Sequence, residues 1–153
     1  MIMRIERFAV AALVSAATSL LAQPAYDPAR DGKADLSAVL ANARVVDRPV
    51  LVVVGGDWCP TCLQLDRAMS AHAGVQSILT TKALSLKINY DSKNKNKGAM
   101  DMLPFFVGYP AMFLLRSNGE RLDFPSATKF YRNGQFDMNA LQIALNLSIS
   151  TLR

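Results

Sequence analysis

The sequence predicts an α/β fold in which helices cover both faces of a mixed β-sheet. Residues 50–54 are five consecutive apolar residues, four of them β-branched, which indicates a strand buried on both faces. Residues 84–90 alternate apolar and polar side chains, which predicts a second strand. Residues 111–115 predict a third strand, and a turn at 117–119 leads to its antiparallel partner at 120–124. We therefore expect a central sheet of about four to five strands.

The first 22 residues predict a secretory signal peptide. Arg4 and Arg7 precede residues 8–22, which carry no charge and end in a small alanine. This apolar segment is short for a membrane span and contains three hydroxyl side chains, so an uncleaved membrane anchor is the less favoured alternative. Cleavage would start the mature chain near Gln23 and place it outside the cytoplasm, secreted or periplasmic, where thiols meet an oxidising environment.

The rest of the chain predicts one domain. Residues 23–34 contain two prolines, a glycine and mixed charges, which is typical of a linker. The domain then covers residues 35–153, an ordinary length for a single folding unit. Hydrophobic residues make up 51% of the whole chain, which is enough to build a core.

Four helices are predicted around the strands. Asp35 can cap the first, because apolar side chains follow it at helical spacing (Leu36, Val39, Leu40 and Ala43). A second helix begins at Pro60, and Gly74 separates it from a short helix at 75–81. Asp137 can cap the last helix. Since helical residues connect the first two strands, these strands should be parallel, with a right-handed crossover.

The two cysteines of the chain form a Cys-x-x-Cys pair at the start of the second helix. Gly55 and Gly56 end the first strand, and Pro60 suits a first helical turn, where its missing N–H has no cost. Cys59 therefore lies where the helix dipole and unpaired N–H groups favour an anionic sulfur. Cys62, three residues later, is close enough to close a small ring. This geometry indicates a dithiol that cycles between reduced and oxidised forms.

The sequence excludes most other uses of the cysteine pair. A structural zinc site needs four ligands, but the only histidine is His72, which we expect on a helix surface. Covalent haem attachment needs a histidine at position 63, which is Leu63. A structural disulfide across so small a ring would remove little entropy from the unfolded chain. We therefore expect no metal and no cofactor beyond the redox-active Cys59–Cys62 disulfide, with Cu(I) bound by the two thiolates as an open alternative.

One basic run raises the question of a nucleic-acid partner. Residues 93–97 alternate lysine and asparagine in a chain whose formal net charge is +5. No aromatic side chains are interleaved with the lysines, so we expect a solvated loop and no nucleic-acid binding. Membrane association is expected only if the signal segment stays uncleaved.

With this element order and the Asp-Trp-Cys-Pro-Thr-Cys motif at 57–62, the chain resembles the thioredoxin superfamily from about residue 35 to 150. The second specific match to the superfamily is Val-Gly-Tyr-Pro at 107–110, which leads into the strand predicted at 111–115. The resemblance implies a thioredoxin fold with a cis peptide bond at Pro110, lying against the cysteines. It also implies that the backbone of Tyr109 pairs with an extended substrate segment. A trans proline that merely opens a strand is the alternative.

Within the superfamily, the chain is similar to exported disulfide-interchange domains. These keep a carboxylate one helical turn after the second cysteine, where this chain has Asp66. Asp66 could take up the proton of the resolving thiol Cys62, or it could be a surface residue paired with Arg67 or a lysine. Many members also have a buried acid six residues before the first cysteine, where this chain has Val53. Without that acid, Cys62 should lose its proton less readily. This puts fast turnover in doubt but leaves the thiol–disulfide exchange itself intact.

These observations predict an exported thiol–disulfide oxidoreductase. Cys59 would attack a substrate disulfide and Cys62 would resolve the mixed disulfide, while Trp58 shields the pair unless it is an ordinary core tryptophan. The partners would be protein thiols or disulfides and a redox partner protein. Pro60 and Thr61 supply one hydroxyl and no charge between the cysteines, which favours a reductase or electron relay. The alternatives are a disulfide-forming oxidase or isomerase, and a non-catalytic binding or copper-handling module.

Overall fold

The computed structural model describes residues 24–152, so the predicted signal peptide at 1–22 lies outside the described residues. No helix within 24–152 has both the length and the apolar character needed to cross a membrane. The elements, in chain order, are α1 (Gly32–Val46), β1 (Val50–Gly55), α2 (Pro60–Ala71), α3 (Ala73–Thr81), β2 (Leu84–Asn89), α4 (Lys97–Met100), β3 (Ala111–Leu115), a 3-10 helix (Ala127–Phe130), β4 (Tyr131–Arg132), β5 (Gln135–Phe136) and α5 (Met138–Ser150).

The central sheet has the order β2-β1-β3, with β1 parallel to β2 and antiparallel to β3. The predicted mixed sheet and the predicted parallel pair are therefore confirmed, but this central sheet has three strands where about four to five were expected. Val50 is opposite Leu84 on one side and Leu115 on the other, so β1 has a hydrogen-bonded neighbour along both edges. Strands β4 and β5 form a separate antiparallel pair that the sequence did not indicate.

The strand predicted at 120–124 is wrong. The antiparallel partner of β3 is reduced to one bridge, between Leu115 and Arg121, which is flanked by two backbone hydrogen bonds: from the N–H of Arg116 to the carbonyl oxygen of Glu120 at 2.7 Å and from the N–H of Leu122 to the carbonyl oxygen of Leu114 at 2.8 Å. Pro125 follows directly and has no amide hydrogen, so it cannot extend a ladder of hydrogen bonds. The chain instead turns towards α5, where the hydroxyl of Ser148 donates to the carbonyl oxygen of Asp123 at 3.1 Å.

Helices cover both faces of the sheet, as predicted, and the alternation of side chains along β1 shows why. Leu51 and Val53 point into one core, with buried side chains of α2, α3 and α5. Val50, Val52 and Val54 point into a second core, with buried side chains of α1 and α4. Because both faces of β1 are buried, the strand needs an unbroken apolar run.

Helix boundaries differ from the prediction at two places. Asp31, not Asp35, caps α1, and its carboxylate accepts from the N–H groups of Lys33 and Ala34 at 2.9 and 3.1 Å. The break between α2 and α3 lies at His72 instead of Gly74. His72 ends α2 and caps α3, because its Nδ1 accepts from the backbone of the third helical residue of α3 at 3.2 Å.

Residues 24–31, part of the segment expected to be a linker, pack on the domain. The side-chain amide of Asn94 donates to the carbonyl oxygens of Pro28 and Arg30 at 2.9 and 3.0 Å. Asn96 accepts from the N–H of Gly32 at 2.7 Å and is buried. In the basic run, the lysines are exposed and the asparagines are the side chains that bind the segment.

We predict that the packing of α5 on the sheet contributes strongly to stability. Leu145 is 0% exposed in the core shared with Leu51, whereas Leu147 on the same helix is 63% exposed. Leu145→Ala should therefore lower the free energy of unfolding by about 2–5 kcal/mol. The matched change Leu147→Ala should alter it by less than about 0.5 kcal/mol in the same urea titration. Equal effects of the two changes would contradict this arrangement of α5.

Candidate active site

The cysteine pair lies at the edge of the sheet where the parallel strands β1 and β2 both end. After β1, residues 55–58 turn the chain into α2, and the backbone N–H of Cys59 donates to the carbonyl oxygen of Gly56 at 3.0 Å. After β2, the N–H of Tyr90 donates to the carbonyl oxygen of Gly55 at 2.7 Å. The ends of both strands therefore converge beside the first turn of α2.

Cys59 and Cys62 form a disulfide, with their Cα atoms 5.2 Å apart. Cys59 is the N-cap of α2, and its sulfur accepts from the backbone N–H of Cys62 at 3.2 Å. The hydroxyl of Thr61 lies 3.4 Å from the same sulfur. Cys59 is 4% exposed and Cys62 is 0% exposed, so both residues are buried and only Cys59 keeps any exposed surface. The first cysteine therefore has the access and the neutral donors that suit an attacking thiolate.

Aromatic side chains surround the opening to the pair. Trp58 is 54% exposed, so it is not a core tryptophan, and its Nε1–H donates to the carbonyl oxygen of Tyr90 at 2.6 Å. Tyr109 stacks on Tyr90 and meets Trp58 edge-on, with ring centroids 5.2 and 5.5 Å apart. Burial and the neighbouring Tyr90 raise the pKa of Tyr109 to about 12, which keeps its hydroxyl neutral at physiological pH.

The peptide bond between Tyr109 and Pro110 is cis, as predicted, and it directly precedes β3. Tyr109 packs against the buried cluster that contains Cys59 and Cys62. Two segments distant in sequence, the Cys-x-x-Cys turn and the segment before β3, are therefore in contact. The predicted pairing of the Tyr109 backbone with a substrate segment stays a prediction.

Asp66 lies on α2, one turn after Cys62, and forms an ion pair with Lys87 of β2. Its side chain is 20% exposed. It therefore has the lysine partner of the surface alternative, but it also lines a cavity of about 240 Å³ that extends to Val53 and Tyr26. Val53 is 4% exposed and apolar, so β1 supplies no acid to this cavity. The proton-accepting role of Asp66 stays a prediction.

Two tyrosines of this site are not among the residues that the sequence predicts for it. Tyr90 lies at the end of a predicted strand, and the shared edge of two parallel strands is a signal that it lies near the cysteines. Tyr26 lies in the predicted linker, but it is 1% exposed in the cluster with both cysteines. No periodicity marks Tyr26, since its burial depends on contacts with distant residues.

Residues 31–117, more than half of the chain, match the sequence profile of the Thioredoxin-like family. Among solved structures, the chain is similar to the disulphide isomerase from Xylella fastidiosa Temecula1, with a TM-score of 0.60 and 18% identity over 86% of this chain and 98% of that one. It is also similar to a DsbH oxidoreductase, with a TM-score of 0.50 and 15% identity over 72% and 81% of the two chains. At these identities the structural likeness concerns the fold. No curated protein matches the chain in sequence.

We predict that the hydroxyl of Thr61 stabilises the thiolate of Cys59 in the reduced protein. Thr61→Val keeps the shape of the side chain and removes the hydroxyl, so the pKa of Cys59 should rise. One hydrogen bond of ordinary strength corresponds to a roughly fivefold loss of thiolate at neutral pH. The pH dependence of Cys59 alkylation measures this change.

Thr61→Ser is the matched control, because it keeps the hydroxyl and should leave the alkylation profile close to that of the wild type. If the valine and serine variants titrate alike, the hydroxyl has no part in stabilising the thiolate.

Proposed function

We propose that the chain, which belongs to the Thioredoxin-like family, is an exported thiol–disulfide oxidoreductase that passes electrons to protein disulfides. The main support for the proposal is the Cys59–Cys62 disulfide at the N-terminus of α2, in which Cys59 is the more exposed of the two residues. Export is supported by the predicted signal peptide at 1–22. The reducing direction is supported by the charges around the pair.

In the proposed reaction, the thiolate of Cys59 attacks one sulfur of a substrate disulfide. That disulfide breaks, one substrate sulfur stays bonded to Cys59, and the other leaves as a thiolate that takes up a proton. Cys62 then loses its proton and attacks the sulfur of Cys59. The second substrate sulfur leaves, two electrons have passed to the substrate, and the Cys59–Cys62 disulfide remains. A partner protein with its own dithiol must reduce this disulfide for the next turnover.

The direction of transfer depends on how strongly the site stabilises a thiolate. The sulfur of Cys59 is contacted by a backbone N–H and by one hydroxyl, which are both neutral. The carboxylates of Asp57 and Asp66 lie near enough to the cluster to raise the pKa of Tyr26, after the larger effect of burial. Negative charges at that distance disfavour an additional anion. The charges around the pair therefore favour the disulfide form, which supports a reductase or electron relay over a disulfide-forming oxidase.

The surface around the pair indicates what kind of substrate it would accept. Phe105 and Val107 are 90% and 86% exposed, and they flank Phe106, whose ring packs edge-on against Tyr109. Tyr109 also contacts Trp58, so an apolar and aromatic surface beside the cysteine pair is continued along the chain by Phe106 and its two exposed neighbours. Such a surface suits an extended protein segment, with apolar side chains on the aromatic rings and backbone groups at Tyr109.

We predict that Cys62→Ser traps substrates. The reduced variant, incubated with insulin, should accumulate a covalent adduct through Cys59 that a dithiol reductant reverses, because no thiol is left to resolve it. Intact mass spectrometry of the adduct formed by protein purified from the exported fraction also shows whether residues 1–22 have been removed.

The matched variant Cys59→Ser retains one thiol and should form little adduct under the same conditions, because Cys62 is 0% exposed. Equal adduct formation by both variants would show that Cys59 is not the attacking residue. If the wild-type protein fails to accelerate insulin reduction while Cys62→Ser still forms the adduct, the proposed direction of electron transfer is wrong, but Cys59 still exchanges disulfides.

A further inference from the structure

Tyr26 carries a hydroxyl whose position the fold alone does not explain. The side chain is 1% exposed, and within the described residues its hydroxyl is buried without a hydrogen-bond partner. Buried hydroxyls are nearly always paired, because an unpaired one loses its bonds to water without replacement. A phenylalanine would fill the same space without this cost. The unpaired hydroxyl is therefore best explained by a hydrogen bond that it makes in another state of the protein.

The resolving cysteine lies close to this hydroxyl. Tyr26 packs in one buried cluster with Cys59 and Cys62. A Cβ atom added to Gly55 would lie 2.9 Å from the sulfur of Cys62 and 2.9 Å from the hydroxyl oxygen of Tyr26. The two atoms therefore share the space beside Gly55. Val53, two residues earlier on the same face of β1, contributes only methyl groups to this region.

The segment that carries Tyr26 is attached to the domain at Tyr26 itself and at two later residues. The backbone N–H of Tyr26 donates to the carboxylate of Asp57 at 3.3 Å. Two and four residues later, the side chain of Asn94 binds the carbonyl oxygens of Pro28 and Arg30. These bonds hold the ring against the cysteines, so the hydroxyl is positioned before the disulfide opens.

We propose that Tyr26 is a hydrogen-bond donor to the sulfur of Cys62 when the disulfide is reduced, which rests on the proposed redox function of the pair. In the disulfide, this sulfur is bonded to Cys59 and is a weak acceptor. Two electrons and two protons from a dithiol donor break the sulfur–sulfur bond and release Cys62 as a thiol. Its thiolate, formed when it prepares to attack Cys59, is a strong acceptor for the hydroxyl.

Tyr26 remains a donor throughout this cycle. Burial raises the pKa of its hydroxyl, and the carboxylates of Asp66 and Asp57 raise it further, so the proton stays on the tyrosine at physiological pH. Two cavities lie beside Tyr26: the charged groups that line one are Asp57, Asp91, Lys93 and Lys95, and those that line the other are Asp66 and Lys87, which are paired with each other. The proton of Cys62 therefore leaves the thiol for another acceptor, while Tyr26 stabilises the anion that remains.

A hydrogen bond made only after reduction must shift the redox equilibrium. It stabilises the reduced protein and leaves the disulfide form with an unpaired hydroxyl, so both effects favour reduction. Tyr26→Phe keeps the ring and removes both effects. The variant should therefore favour the disulfide form relative to wild type.

The test is the equilibrium of the mature protein with a glutathione buffer, followed by the fraction of alkylated cysteines. For Tyr26→Phe, the equilibrium constant for reduction should fall about five- to tenfold, the range expected for loss of one such hydrogen bond. The melting temperature of the disulfide form should stay equal or rise, and that of the reduced form should fall. In a Cys59→Ser background, which isolates one thiol, the same change should raise the pKa of Cys62.

Tyr131→Phe is the matched control, since it deletes a hydroxyl from the β4–β5 pair and should leave all of these values unchanged. An unaltered glutathione equilibrium for Tyr26→Phe would overturn the proposal. Equal destabilisation of both redox forms, or failure to fold as the disulfide, would also overturn it, because the hydroxyl would then be structural. This experiment uses glutathione in place of a protein substrate. Its outcome therefore does not depend on whether Cys62→Ser forms an adduct with insulin or on the direction of electron transfer.

Discussion

The structure depends on the placement of a helix N-terminus at the end of a strand that is buried on both faces. β1 is hydrogen-bonded along both edges and covered by a core on each side, so its end cannot shift without disturbing both cores. Gly55 at this end has no room for a side chain, because a Cβ would meet the sulfur of Cys62. The sulfur atoms are therefore held where α2 begins, and the N–H groups of its first turn point towards Cys59.

Three segments far apart in sequence are brought to this point by ordinary packing. Tyr90 arrives because β2 is parallel to β1 and ends at the same edge. Tyr109 arrives because β3 is antiparallel to β1, so the segment that leads into β3 lies at that edge as well. Tyr26 arrives through hydrogen bonds to the loop after β2. The resulting site combines one partly accessible sulfur with an aromatic and apolar surface, which is the combination that disulfide exchange with an extended protein segment needs.

Much of the site could be predicted because its chemistry lies within one short stretch. The strand, the glycine turn, Pro60 and both cysteines follow each other directly, and local rules are sufficient for each. The start of α1 could not be predicted in this way, because the apolar spacing predicts Asp35 as the cap, whereas the helix begins one turn earlier with Asp31 as its cap. Asn96, 64 residues away, binds this earlier start by accepting from the N–H of Gly32. Tyr26 was missed for the same reason, because distant asparagines hold its segment in place.

The central claim is that the two sulfurs are chemically unequal, with Cys59 stabilised as a thiolate by the helix and Cys62 buried behind it. The most direct test is alkylation of the reduced wild-type protein across a pH series, with each cysteine followed separately by peptide mass spectrometry. The account predicts that Cys59 reacts first and titrates below the ordinary cysteine pKa of about 8.5, while Cys62 reacts far more slowly. Equal rates for the two cysteines, or a Cys59 pKa at or above the ordinary value, would contradict it.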